Sequence, residues 1–191
     1  MNAANKFRRS GITYVAMPDA ARLSPADIEA LASRVAQVAR YQDGGDLYGA
    51  VSQLGGKIHV VDMQDWNETM DGSILVHGKS PEQPGQSKDW PLFDIILGWF
   101  SGPMRDRFTI AHEIGHFILH SRSGKHAIQM ARDGGRNPLE WEANQFAASF
   151  LMPLERFTQY WNEYRDLDVL AGRFQVSTEA ARVRKERLGL D

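Results

Sequence analysis

The segment His112-Glu113-Ile114-Gly115-His116 constrains the fold of this 191-residue chain more than any other part of the sequence. On an α-helix, residues four apart lie one above the other, so the imidazoles of His112 and His116 can meet at one point. Two such imidazoles can hold one Zn²⁺ ion at about 2.0–2.1 Å each. Glu113 is rotated by about 100° from His112, so it can reach a water on the metal and take its proton. The spacing therefore predicts a metal-binding helix with a general base on it.

The residues around this HExxH motif favour a helix on independent grounds. We predict one helix over residues 107–120, because apolar side chains are available there for packing on a core. These side chains are Phe108, Ile110, Ala111, Ile114, Ile118 and Leu119.

The chain contains no cysteine, which narrows the choice of further ligands. Thiolate zinc sites and disulfides are excluded, so any metal must be held by His, Asp or Glu. A catalytic zinc needs three protein ligands and one open position, so a third ligand must come from elsewhere. His120 continues the histidine ladder, but it would lie about 12 Å from His112 along an α-helix, too far to share one ion.

A second helix offers two candidates for the third ligand, Glu140 and Glu142. Glu140 and Asn144 are four residues apart and share one helix face. The side-chain oxygen of Asn144 can accept the second N–H of a ligand histidine and fix its tautomer. We therefore expect Glu140 to be the ligand, with Glu142 as the alternative. Glu140 is also placed where a glutamate commonly closes a capping box with Asn137.

The rest of the chain predicts a mixed α and β domain. His59 and His77 fall in predicted strands, where lone histidines are usually packed or surface residues, so neither is expected to be a ligand. Strands are expected at 12–17, 57–63, 73–78 and 93–100, an exposed loop at 79–91 and a polar connection at 124–135. Further helices are expected at 24–41, 137–152, 154–164, 167–174 and 178–188, with Ser24 and Asn137 as the N-caps of the first two.

The charge balance gives the chain no overall attraction to nucleic acid or to an anionic membrane. It has 24 acidic and 22 basic residues, and no run approaches the roughly 20 apolar residues of a membrane span. Without a signal peptide at its start, a cytoplasmic protein is expected.

The helices around Val176-Ser177 resemble a helix-turn-helix, but the second helix carries glutamates as well as arginines. Direct nucleic-acid binding is therefore not expected.

Three segments resemble the ImmA/IrrE family of metallopeptidases in order and spacing, over roughly residues 24–190. They are RFTIAHEIGHFILH (107–120), EWEANQFAASFLMP (140–153) and LAGRFQVSTEAARVRKERLGL (170–190). The resemblance implies a zincin-like α+β fold, in which a small twisted sheet packs beside the HExxH helix and the C-terminal part is helical.

The resemblance also implies gluzincin-type ligation of Zn²⁺. In this chain His112, His116 and Glu140 would be the ligands and Glu113 the base. The residue that stabilises the oxyanion stays open among four candidates, which are His120, His126, Tyr160 and Tyr164.

The implied domain organisation is an N-terminal extension at 1–23 and a metallopeptidase domain at 24–191, which ends in helix-turn-helix-like helices at 167–190. The implied function is a zinc-dependent intracellular endopeptidase that cleaves or controls an XRE-type helix-turn-helix regulator. The setting would be a phage, mobile-element, stress or toxin–antitoxin system. No sensor or DNA-binding domain of its own is expected, which favours a separately encoded partner. The alternative is a metal-binding toxin or anti-repressor component that acts by forming a complex with its partner, with little or no proteolysis.

Overall fold

The computed structural model describes residues 18–61, 72–77, 91–98, 102–126, 128–131 and 137–191. The strand expected at 12–17 and nearly all of the loop expected at 79–91 lie outside these residues.

Two helices come first, three strands follow, and the HExxH helix then precedes a fourth strand; the described chain is helical from there to its end. The α-helices are α1 (Pro25–Val38), α2 (Leu47–Gln53), α3 (Pro103–Gly115), α4 (Pro138–Leu151), α5 (Leu154–Tyr164), α6 (Leu167–Phe174) and α7 (Thr178–Arg187). A π-helix, His116–His120, continues α3. The strands are β1 (Gly56–Val61), β2 (Ser73–Val76), β3 (Phe93–Gly98) and β4 (Ile128–Ala131).

The four strands form one small sheet in the order β1-β3-β2-β4. Strands β1 and β3 are parallel, whereas β2 is antiparallel to both β3 and β4. Strand β3 is buried along its whole length, as its nearly continuous apolar sequence predicts. Strands at β1, β2 and β3 agree with the sequence prediction, but β4 lies in a segment that was expected to be a polar connection.

Capping residues explain where two of the helices begin. The Oγ atom of Ser24 accepts a hydrogen bond of 3.2 Å from the backbone N–H of Asp27, and a proline follows at the first helical position. The Oδ1 atom of Asn137 accepts the backbone N–H groups of Leu139 and Glu140 at the start of α4. Both starts were predicted from these residues.

The HExxH helix differs from its prediction at both ends. Pro103 in the first turn lets α3 begin four residues before the expected start. The helix ends at Gly115, and the last five residues of the expected span form the π-helix. The wider π turn changes which side chains lie one above another, which matters at His120.

Helices α3 and α4 approach each other closely at Gly115. A Cβ atom at this position would lie 3.2 Å from the Cα of Ala143 and 3.3 Å from the Cβ of Phe146. The sheet packs beside the end of the same helix, where Phe93 of β3 stacks on Phe117 with ring centroids 4.2 Å apart. The predicted fold class is confirmed: a small sheet lies beside the HExxH helix, and the C-terminal part is helical.

A buried arginine of α7 connects this helix to α1 and to the end of α4. Arg184 of α7 is 1% exposed. Its Nη2 atom lies 2.8 Å from both carboxylate oxygens of Glu29 in α1, and its Nε donates to the carbonyl oxygen of Met152. Helix α7 therefore completes the core. In the described part of the chain, no helix has the length and apolar character needed to cross a membrane.

Candidate metal centre

Three buried side chains converge where α3 and α4 pack together. The Nε2 atoms of His112 and His116 are 3.0 Å apart. The carboxylate of Glu140 lies 3.3 Å from the first and 3.2 Å from the second. Each of the three residues is only 1% exposed. They form the one cluster of His, Asp or Glu that can hold a metal ion within the described residues.

The spacing of these donors fits a tetrahedral ion. Two donors that are each about 2.0–2.1 Å from one tetrahedral zinc lie about 3.3 Å apart, close to the three separations above. Glu140 Oε1 is buried and lies 3.2 Å from His116 Nε2 without the geometry of a regular hydrogen bond, as suits two atoms that share an ion. Two nitrogens and one carboxylate also form the donor set of catalytic zinc sites with an open fourth position.

The electrostatics of the cluster favour the protonation states that a metal requires. Burial lowers the pKa of His116 to about 4, although Glu140 opposes this. Burial alone would raise the pKa of Glu140, but His112 and His116 outweigh it and hold that pKa well below its usual range. Near neutral pH the site therefore presents a neutral imidazole at His116 and an ionised carboxylate at Glu140, the forms that bind metals.

Glu113 and Asn144 lie next to this cluster in different ways. Glu113 is 1% exposed and directly follows His112 in α3, but it is not a member of the converging group. Asn144 Oδ1 lies 3.0 Å from His112 Nδ1. Because an amide oxygen only accepts, His112 Nδ1 donates, and its Nε2 lone pair faces the cluster.

Glu142, the alternative ligand, lies behind His116 rather than in the converging group. Its Oε2 atom is 3.0 Å from His120 Nε2, and its two oxygens accept the backbone N–H groups of Ala21 and Arg22. His120 Nδ1 is in turn 2.8 Å from His116 Nδ1. Burial lowers the pKa of His120, while the neighbouring Glu142 opposes this. The structure thus joins two residues that the sequence treated separately.

The candidates for oxyanion stabilisation are engaged elsewhere in several cases. Both ring nitrogens of His120 have the partners just described. The hydroxyl of Tyr160 contacts Arg156 and Asp43. The hydroxyl of Tyr164 accepts from Arg173 at 2.6 Å, and His126 is exposed.

A second histidine cluster lies on the sheet. Asp94 of β3 has one carboxylate oxygen 2.8 Å from His59 Nε2 and the other 2.7 Å from His77 Nε2. Burial alone would raise the pKa of Asp94, but the hydrogen bonds from the two histidines lower it to about 2. The sequence treated these histidines as isolated, because the pairing of their strands with β3 was not available from spacing along the chain.

The chain is similar to a known protein family and, in its fold, to solved structures. Residues 96–186 match the family model described as the IrrE N-terminal-like domain, of peptidase family M78. The match begins within β3 and ends within α7, so it includes all the residues of the converging group. No curated protein matches the sequence significantly.

A solved structure titled "Mycobacterium tuberculosis transcriptional regulator" is similar to this chain, with a TM-score of 0.52 and 16% sequence identity. The similarity covers 82% of this chain and 45% of that one, so the chain spans less than half the length of the regulator. At this level of identity, the likeness extends to the fold alone.

Proposed function

We propose that this chain, whose residues 96–186 belong to the IrrE N-terminal-like family of metallopeptidases, is a zinc-dependent endopeptidase. The observation that carries the proposal is the buried convergence of His112, His116 and Glu140, with Glu113 beside the first histidine. A structural helix pair does not require two imidazoles and a carboxylate to converge within 3.3 Å in its core.

His112, His116 and Glu140 would hold the zinc ion. When bound there, zinc would polarise the scissile carbonyl and lower the pKa of the attacking water. Glu113 would accept a proton from that water as its oxygen bonds to the carbonyl carbon. As the C–N bond breaks, Glu113 would pass the proton to the leaving amine. Asn144 would keep His112 in the tautomer that presents its Nε2 lone pair.

Strand β4 is a suitable docking site for the peptide substrate. It lies at the edge of the sheet and pairs with β2 on one side. An extended peptide that added to the other side would gain backbone hydrogen bonds by β-augmentation. Specificity for the substrate would then come from the side chains of the protein that lie next to the docked peptide.

The proposed protein partner is an XRE-type helix-turn-helix regulator, in a phage, mobile-element, stress or toxin–antitoxin setting. The match of residues 96–186 to the IrrE-like family supports a regulator as the target.

The Glu113→Gln variant tests the proposed chemistry. This change keeps the size of the side chain and leaves the three ligands in place, but removes the base. We expect cleavage of a purified XRE-type regulator from the same organism to slow by about 10²–10⁴-fold, while bound zinc stays at the parent level. Cleavage would be followed by electrophoresis and mass spectrometry, and bound zinc by elemental analysis.

Glu155→Gln, the same chemical change at an exposed position on α5, is the matched control and should cleave at the parent rate. Cleavage by Glu113→Gln at the parent rate would overturn the proposal. A zinc-loaded parent protein that bound the regulator without cutting it would favour the partner-protein alternative instead.

A further inference from the structure

The far side of His116 is connected to the chain segment that precedes α1. Its Nδ1 atom lies 2.8 Å from His120 Nδ1, and His120 Nε2 lies 3.0 Å from Glu142 Oε2. The Glu142 carboxylate accepts the backbone N–H of Ala21 at 2.8 Å and that of Arg22 at 2.5 Å. A continuous path of hydrogen bonds therefore joins a proposed metal ligand to the backbone of Ala21 and Arg22, and its last step, from Glu142 to Arg22, spans 120 positions of the chain.

The direction of each hydrogen bond along this path follows from the groups involved. An ionised Glu142 can only accept, so His120 Nε2 must donate to it. A neutral His120 then has a lone pair on Nδ1, and His116 Nδ1 must donate to that atom. The Nε2 atom of His116 is left with its lone pair facing Glu140 and His112. The path thus selects the one neutral tautomer of His116 that can bind a metal there.

The three side chains of this path are buried, so each of them needs a hydrogen-bond partner within the protein. His116 is 1% exposed, His120 is 4% exposed and Glu142 is 2% exposed. A buried carboxylate without hydrogen-bond donors is costly, so the two backbone N–H groups and His120 together stabilise the charge of Glu142. If the backbone donors moved away, Glu142 would lose two of the three described contacts that orient its oxygens.

Two local backbone features bring the path together. Arg22 has φ of 55°, in the left-handed region, so the chain turns at this residue, directly after the two N–H groups that the Glu142 carboxylate accepts. His116 and His120 are the first and last residues of the π-helix, whose wider turn brings their Nδ1 atoms within hydrogen-bond distance. Single π turns within α-helices are frequent at functional sites.

We propose that the backbone of Ala21 and Arg22 is a positioning element of the metal centre, acting on His116 through Glu142 and His120. Displacing this segment would free the ring and tautomer of His116 and weaken metal binding. The inference rests on the proposed function only in taking His116 as a ligand. The segment before α1 would therefore regulate the metal centre, because a partner that displaced this segment would lower the affinity for the metal ion.

Substitutions at Arg22 test the segment directly. Arg22→Pro removes one N–H donor and cannot adopt the positive φ, so it should displace the segment from Glu142. Arg22→Gly removes the same side chain but keeps both the N–H and the left-handed backbone. We expect Arg22→Pro to bind Zn²⁺ about 10- to 100-fold more weakly, the usual effect of losing a partner behind a metal ligand. Arg22→Gly should bind it like the parent.

Glu142→Gln tests the middle of the path. It should weaken Zn²⁺ binding by about tenfold, because the ionised acceptor for His120 is lost. Leu119→Ala, a buried change in the same π-helix but outside the path, is the control for lost packing. This control should lower the thermal midpoint of unfolding while Zn²⁺ affinity stays at the parent value.

Both series would be measured on the full chain by competition with a chelator of known affinity. The absorption spectrum of the Co²⁺-substituted protein provides a second readout, because it reports ligand geometry rather than stability. We expect the spectrum to change in Arg22→Pro and Glu142→Gln, and to match the parent in Arg22→Gly and Leu119→Ala.

The proposal is overturned if Arg22→Pro binds Zn²⁺ as tightly as the parent, or if Leu119→Ala weakens binding to the same extent. Metal affinity and peptide cleavage separate this inference from the proposed function. If the Arg22 and Glu142 substitutions weaken Zn²⁺ binding as expected but the parent protein never cleaves peptides, the positioning path stands and the peptidase proposal is refuted. If the parent cleaves peptides but these substitutions leave the Zn²⁺ affinity unchanged, the peptidase proposal stands and the positioning path is refuted.

Discussion

Arg184 is the largest fully buried side chain in the described part of the chain. Among the described residues, Glu29 is the one acidic residue that forms an ion pair with it. Removing one partner of a buried pair leaves the other charge without compensation. We therefore expect Arg184→Met to lower the free energy of unfolding by about 3 kcal/mol. Urea unfolding followed by circular dichroism measures this loss.

Arg182 offers the comparison on the same helix. It pairs with Glu179 and Glu186 at the surface, where ion pairs contribute little. Arg182→Met should therefore leave the urea midpoint nearly unchanged. Equal losses in the Arg182 and Arg184 variants would contradict the assignment of stability to the buried pair.

Asp94 gives the stability of the protein a dependence on acid pH. The hydrogen bonds from His59 and His77 hold its pKa at about 2, below the value of 3.8 expected for the free side chain. A carboxyl with a depressed pKa contributes stability above the unfolded-state value and loses it as pH falls through the folded one. Between about pH 4 and pH 2, the parent should lose more stability than Asp94→Asn does. Thermal unfolding across this range measures the difference, and parallel curves for the two proteins would contradict it.

Some of the site could be predicted from residue spacing because it depends on helix geometry alone. The spacing of His112 and His116, and the shared face of Glu140 and Asn144, needed only the repeat of an α-helix. The contact of His120 with Glu142 could not be predicted in this way. It depends on the π-helix and on the packing of α3 against α4. The cluster around Asp94 likewise depends on which strands are neighbours in the sheet.

Among the elements, α3 and α4 pack closely against each other, since the two helices meet at Gly115. A methyl group there would press on the backbone of Ala143, and overpacking of this kind costs about 1–3 kcal/mol. Because α3 carries His116 and α4 carries Glu140, separating the helices should also weaken Zn²⁺ binding. We expect Gly115→Ala to lose both stability and metal affinity, as measured by urea unfolding and chelator competition.

Gly172 of α6 provides a matched control for that substitution. No atom outside its own helix and neighbours lies within 4 Å of a Cβ at this position. Gly172→Ala should therefore stabilise the protein by about 0.5–1 kcal/mol through the helix preference of alanine. A Gly115→Ala protein that gained stability like Gly172→Ala would show that the helices can separate freely.

The elements themselves were predictable to different degrees, for physical reasons. Helices α1 and α4 begin where Ser24 and Asn137 cap them, because local hydrogen bonds decide these starts. Strand β4 has four residues and forms by pairing with β2, so its own sequence carries little signal. The change from α3 to the π-helix was also missed, since the apolar pattern continues across it.

For the whole molecule, metal binding should appear as a gain in stability. A ligand that binds only the folded state stabilises it by about 4 kcal/mol at a thousand times its dissociation constant. Adding Zn²⁺ should therefore raise the thermal midpoint of the metal-free parent, and a chelator should reverse the shift. Scanning calorimetry at fixed protein concentration measures it.

Glu140→Gln should remove most of this stabilisation, because an ionised ligand is lost, whereas Glu155→Gln should keep it. The two variants carry the same chemical change in a buried and an exposed position. An unchanged zinc response in Glu140→Gln would contradict the proposed ligand set.

The contact between Glu29 and Arg184 spans 155 positions of the chain, which has a consequence for the order of assembly during translation. A ribosome that adds about 5–20 residues per second needs roughly 8–30 s to travel from one residue to the other. Throughout that interval Glu29 of α1 lacks Arg184 of α7, the residue that balances its charge. The first helix therefore cannot reach its final packing until the last one has been made. A nascent chain of this protein therefore depends on α7, and ribosomal pausing before α7 is made would prolong the period in which this part of the core is open to chaperones and proteases.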